Sequence, residues 1–248
     1  MSKEKLLSIR PKTAHSRRLQ QLLLDYHDYR LQRDAHPLSD FIDYLGDWQV
    51  TRLKRTHHDL YLTPQYHDAL EFLLKDLYSP KEFTRRDTDL ERIFPVMVKL
   101  VPDPALGTVA NLIELNLLTQ KLDEHMAGVL TGEMAVNEIT EEAYAEAFRR
   151  CDNLTARQHQ IFLIQSCGQE LEKYVRSRFL SFSLGITEGP AEMAGLGQLH
   201  QFLSRGFRSF KAIGGVKPLL DKIMQRESQI LDRIQNGFQQ PFSFVEEE

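Results

Sequence analysis

The sequence predicts an all-α protein: a multi-helix bundle of about nine helices with a long apolar central helix and essentially no sheet. Three observations carry this. Apolar residues recur three and four positions apart through most of the chain, the spacing that lines one face of an α-helix. Only 10 Pro and 13 Gly punctuate 248 residues, mostly where helices would begin or end. No run alternates apolar and polar residues for long enough to demand a strand, and no fixed-period repeat marks a solenoid.

The first helix is expected over 16–33, with Leu19, Leu22, Leu23 and Tyr26 on one stripe. A second opens at Ser39 as N-cap and carries Phe41, Ile42, Leu45 and Trp48. Thr63 as cap and Pro64 at the first helical position start a third, with Tyr66, Ala69, Leu70, Leu73 and Leu77 at helical spacing. A fourth presents Leu90, Ile93, Phe94, Met97 and Val98, bent at Pro95. Asp103 and Pro104 repeat the cap logic and open the central helix, apolar on most faces from Leu106 to Leu118. The stretch 131–140 is the weakest for helix. Beyond it, helices are expected over 141–151, 156–176, 177–186, 190–212 and 216–235. The domain reading is a flexible basic arm over 1–12, one helical domain over 13–236 divisible into halves 13–130 and 141–236, and a loose tail over 237–248.

Composition sets the functional classes. A hydrophobic fraction of 42 % with 14 Phe and 8 Tyr supplies a core that disordered chains lack. The net charge of −4 gives no general field for nucleic acid or an anionic membrane. No stretch approaches the ~20 apolar residues of a bilayer span, and no apolar run follows the basic N-terminus, so the expected compartment is the cytoplasm. Cys151 and Cys167 are the only cysteines, too few for a zinc site and read as reduced structural thiols.

Searches for chemistry come back thin. None of the nine His has a Glu or Asp three positions before it, so the Glu-x-x-His pairing of a di-metal bundle is absent, and no metal or cofactor is expected. Phosphate loops, Gly-x-Ser-x-Gly and His-Glu-x-x-His are missing. Lys3, Lys5, Arg10, Lys12, Arg17 and Arg18, and then Arg52, Lys54 and Arg55, form basic clusters that read as solvated ends. The stretch 154–175 starts like a helix-turn-helix, but its GQELE segment is acidic where a recognition helix needs positive charge. Two pocket candidates remain. Arg85 and Arg86, in the turn with Asp87, present guanidinium forks beside a helix start, suited to a carboxylate or a bound anion, against the simpler reading that Asp87 caps the next helix and an Arg pairs with Asp89 or Glu91; Glu114, inside an apolar helix, needs a partner if buried, and an Arg of this turn is a candidate. His200, set among Leu199, Phe202 and Leu203, is the residue best placed for a buried cofactor contact, against the simpler reading of a histidine satisfied by a neighbour.

The stretch from Tyr66 to Val101 resembles an uncharacterised bacterial family known for an FFLEELY motif, here Phe72, Leu73, Leu74, Lys75, Asp76, Leu77 and Tyr78, followed by Ser79-Pro80-Lys81 and Arg85-Arg86-Asp87. ARQHQIFLI, GPAEMAGLGQLHQFLSRGFRSFKAIGG and the closing Gln225-Arg226-Glu227 extend the likeness over most of the chain. The departures are Leu73 for the second Phe, Lys75 for the first Glu and Asp76 for the second. The resemblance implies a helical bacterial protein and brings no catalytic residues with it. The functional expectation is therefore a non-catalytic cytoplasmic protein acting through an apolar groove, on a protein partner or a second copy of itself. The alternative is a ligand- or cofactor-binding protein or enzyme with a buried pocket near Arg85, Arg86 and Glu114 or near His200.

Overall fold

The computed structural model describes residues 3–33, 36–77 and 91–243, and among them there is no strand: the protein is all-α. Five helices come first: α1 (Lys3–Ser8), α2 (Ala14–Arg33), α3 (Ser39–Thr56), α4 (His58–Leu62) and α5 (Pro64–Glu71), the last continued by a π-type turn over Phe72–Leu77. Helix α6 spans 91–100, and α7 (Asp103–Gly128) runs into a second π-type turn at Val129–Glu133. Then follow α8 (Glu141–Arg150), α9 (Leu154–Val175), α10 (Arg178–Ile186), α11 (Glu188–Met193), α12 (Gly197–Ala212) and α13 (Lys217–Gln235).

Helix α7 extends over 26 residues. Its Leu106, Ala110, Ile113 and Leu117, three to four positions apart, bury against Leu19, Leu23 and Tyr26 of α2 and Phe94 and Met97 of α6. The C-terminal turn of α7 joins a second apolar cluster with α3, α8 and α13, in which Trp48 stacks on Tyr144 at 4.6 Å. A third cluster packs α4 and α5 against α12 and the start of α13 through Leu60, Leu70, Phe72, Phe210 and Leu219.

Helix starts follow local chemistry with three reassignments, the first at α7, where Pro102 takes the cap position and Asp103, expected there, is the first helical residue and makes no side-chain cap bond. Thr140 caps α8, accepting the Ala143 amide at 3.2 Å, with Glu141 and Glu142 in the first turn and Arg149 and Arg150 in the last. Pro64 does open α5, but the Thr63 hydroxyl turns back to donate to the Asp59 carbonyl at 2.9 Å. Ser39 is the first helical residue of α3, and its hydroxyl accepts from Arg33 at 2.6 Å instead of capping. Helix α13 borrows its cap from another helix: the Glu172 carboxylate of α9 accepts the Val216 and Lys217 amides.

Three short helices lie outside the expected set. Gly195, at φ +70°, closes α11 with its amide on the Glu192 carbonyl at 2.9 Å, so the single helix expected over 190–212 is two. Helix α4 forms a separate turn after the α3 elbow at His57. Helix α1 lies within the segment expected to be a flexible arm; its Leu6 is completely buried, and Gln20 of α2 donates to the Leu6 carbonyl at 2.6 Å. Likewise Phe242, in the segment expected to be a loose tail, is only 5 % exposed beneath Trp48 and Arg52. One apolar anchor in each terminal segment suffices to hold it, and neither segment carries a periodic stripe that would announce it.

The N-terminal and C-terminal parts meet at Phe72. Its ring stacks on Phe202 at 5.1 Å and meets Phe210 edge-on at 5.6 Å, and it leaves no room beside Gly206, where a Cβ would come within 2.5 Å of the ring. Gly206→Ala is expected to destabilise the fold by about 1–3 kcal/mol, read by chemical denaturation, because a rigid aromatic ring packed on three sides cannot give way. Gly206→Ala in a Phe72→Leu background recovers part of that loss.

Candidate functional site

Glu114, the acid of the sequence-derived pocket, is engaged by α2 and α9. Arg85 and Arg86 lie outside the described residues, and the guanidinium that reaches Glu114 belongs to Arg18 of α2, which also donates to Asn111 Oδ1 at 2.7 Å. His159 of α9 takes the other carboxylate oxygen at 2.8 Å. Burial would raise the Glu114 carboxyl, but His159 and Arg18 outweigh it and hold it below the usual carboxylate range. This is a three-helix staple between α2, α7 and α9, at a partly exposed position.

His200 is buried, and its Nε2–H donates to the Leu184 carbonyl at 2.8 Å. Leu184 stands in the last turn of α10, where carbonyls have no partner within their own helix, so the imidazole acts as a capping donor that pins α10 to α12. That is the simpler of the two readings its setting allowed.

Other polar groups cluster where spacing along the chain gave no hint. Arg52 of α3 grips Glu227 of α13 in both carboxylate oxygens, at 2.6 and 2.7 Å, and His57 at the α3–α4 elbow donates to Glu227 at 2.9 Å. The neighbouring Arg226 clamps Asp59 with two bonds, of 2.6 and 3.1 Å, and the Thr56 carbonyl with a third. Burial would raise the Glu227 carboxyl, but Arg52 and His57 outweigh it and bring it down to about 2. Deeper still, Gln49 donates to Asp123 at 3.1 Å beside Tyr144, and burial raises both the Asp123 carboxyl and the Tyr144 phenol. Between α2 and the end of α7 lies an open cleft of about 550 Å³, where Tyr29 and His36 hold the Glu124 carboxylate at 3.0 and 3.1 Å. Burial first, and then Glu124, raise the Tyr29 phenol well beyond its ordinary value. No group of three His, Cys, Asp or Glu side chains is placed to hold a metal among the described residues. The two thiols are buried, and burial pushes Cys167 up to about 12 and raises Cys151, so neither is a ready nucleophile at neutral pH.

The surface carries a different kind of feature. Helices α10, α11 and α12 pack on one another and expose Phe182 (65 %), Ile186 (59 %), Met193 (91 %) and Leu203 (48 %). His200 fixes α10 from behind, and Arg92 of α6 donates to the Ala194 carbonyl at 3.0 Å at the end of α11. The face is therefore held in place by buried or capping bonds while its apolar side chains stand in water. The sequence marks these residues as apolar and no more: 179–187 carry no charge and Phe182 and Ile186 are one helical turn apart, a pattern that reads the same for a covered stripe and an exposed one.

Fold and surface together define the class: an all-α helical protein with ion clusters between its helices and exposed apolar side chains, those of α10, α11 and α12 among them. The chain belongs to the family described as Domain of unknown function (DUF8198), which it matches over residues 28–241. No curated protein and no solved structure matches it. Among the described residues no helix is long and apolar enough to cross a membrane.

Two outcomes test these assignments. His200→Ala is expected to cost about 1–3 kcal/mol by leaving a buried carbonyl unpaired, and to speed hydrogen exchange over 178–186 more than over α7. For Glu227, whose folded pKa is about 2 against 4.5, the stabilisation is fully present above pH 4.5 and is lost as pH falls from there toward 2. Glu227→Gln should lose roughly 3–5 kcal/mol at neutral pH, by stranding Arg52, and show a shallower acid dependence than the wild type in denaturant titrations.

Proposed function

We propose that the protein is a non-catalytic helical binding protein, bacterial and cytoplasmic, whose working surface is the apolar corner formed by α10, α11 and α12. One observation carries the reading: four large apolar side chains, Phe182, Ile186, Met193 and Leu203, stand 48–91 % exposed on helices that are otherwise capped and anchored. Burying them on a partner removes apolar surface from water at about 25 cal/mol per Å². The candidate polar groups support the same reading by their partners: Glu114, Glu227 and His200 bond to neighbouring helices. Phe72 and the Arg226-Glu227 pair, which carry part of the resemblance to the FFLEELY-motif family, are engaged in packing and in clamping the α3–α4 elbow, which suits a scaffold role for 13–236 as one helical domain. Nucleic acid has no place in this reading.

A second reading, small-ligand binding between helices, rests on the open cleft lined by Tyr29, His36, Lys121, Glu124 and His125. The two separate cleanly, because the cleft lies between α2 and α7 while the apolar corner lies on α10–α12.

The test is native mass spectrometry of the protein purified from its own host, alongside the Phe182→Glu/Met193→Glu double variant. The expected result is an assembly of this chain with protein for the wild type and a lone chain for the variant, with unchanged helical circular dichroism. A wild-type chain that travels alone, or an assembly indifferent to the double variant, rejects the apolar corner as the working surface; a retained small molecule in both forms favours the cleft.

A further inference from the structure

We infer that the occupant of the α10 face is a second copy of this chain, paired antiparallel about a two-fold axis passing near Phe182. The inference rests on the protein-binding role proposed above and adds the partner's identity. Arg178, Phe182 and Ile186 are spaced by four and exposed, so they form one stripe along α10, with Phe182 at its middle. The stripe has a positive end at Arg178. Past its other end, α11 opens with Glu188 and carries Glu192, both exposed. An apolar centre with opposite charges at its two ends complements a copy of itself only when the copy runs the other way: parallel pairing sets Arg178 on Arg178.

Helix electrostatics point the same way. Arg178 is the first residue of α10, at the positive end of its own helix dipole, where a cation is disfavoured. In an antiparallel pair it faces the carbonyl end of the partner's α10 and the partner's Glu188, and the unfavourable placement becomes a favourable one. Gly185 adds a third argument. It sits inside α10 on the same side as Phe182, and a Cβ there would meet nothing within 4 Å of its own chain. A helical glycine costs about 1 kcal/mol relative to alanine, and among the described residues neither backbone conformation nor packing requires this one. Against a second α10 it lets the two backbones approach closely.

Cysteine cross-linking tests the geometry, and Cys151 and Cys167 are buried and do not compete. Phe182→Cys is expected to form a disulfide-linked dimer on mild oxidation. Ile186→Cys alone should not, but it should cross-link when mixed with Arg178→Cys. Equal self-linking at all three positions overturns the antiparallel arrangement. Independently of cysteine, Arg178→Glu is expected to weaken dimerisation about tenfold in sedimentation equilibrium, and Arg178→Glu/Glu188→Arg to restore it. A wild-type chain that stays monomeric at high micromolar concentration overturns the second-copy assignment. If the host-purified protein then still carries a different protein that the Phe182→Glu/Met193→Glu variant loses, the binding role stands while the identity of the partner falls.

Discussion

A carboxylate taken out of water must be matched at once, and Glu227 is matched by residues that lie far from it along the chain. Arg52 and His57 come from α3 and its elbow, so α13 has only one register in which the charge is satisfied. Arg226, next in the chain, fastens the same elbow through Asp59, whose carboxyl it holds below the usual range. The Arg52 guanidinium also lies over the ring of Phe242 at 5.5 Å, which seats the C-terminal segment. Once α13 is placed, α8 and α9 have a surface to pack on, and the second apolar cluster closes around Leu130, Tyr144 and Ile234.

The remaining polar bonds extend this locking outward. Glu114 staples α2 and α9 across α7, and Glu172 holds the start of α13 from the side of α9. Burial would raise the Glu172 carboxyl, but the Val216 and Lys217 amides and Arg176 outweigh it and hold it low. His200 and Arg92 then fix α10 and α11, the outermost helices of the C-terminal part. Among the described residues these acids and histidines are bonded between helices, while apolar side chains of α10, α11 and α12 stand exposed.

That division explains why motif searches find so little. Catalysis needs groups with unspent hydrogen-bonding capacity converging on a space; here the histidines and acids singled out by type are consumed as caps and staples. Arg157 is the one buried guanidinium with two nitrogens unpartnered among the described residues, and it lies over Phe148 at 5.0 Å in a packed setting rather than a cleft. The raised phenol of Tyr29 likewise reflects burial beside Glu124.

The helical fold was legible from spacing alone, because a stripe of apolar residues every three or four positions can be buried in only one kind of regular structure; Leu106, Ala110, Ile113 and Leu117 are an instance. Pro64 announced its helix start for an equally local reason. Whether a cap faces forward or back was not local: Ser39 and Thr63 gave their hydroxyls to bonds outside the expected cap. Glu114 was recognisably in need of a partner, but nothing in one dimension could pick out Arg18, since that depends on which helix lies alongside α7. The exposure of Phe182 and Met193 was equally out of reach. An apolar side chain reads the same in the sequence whether or not another helix covers it, and only the packed arrangement of α10, α11 and α12 decides that these remain in water.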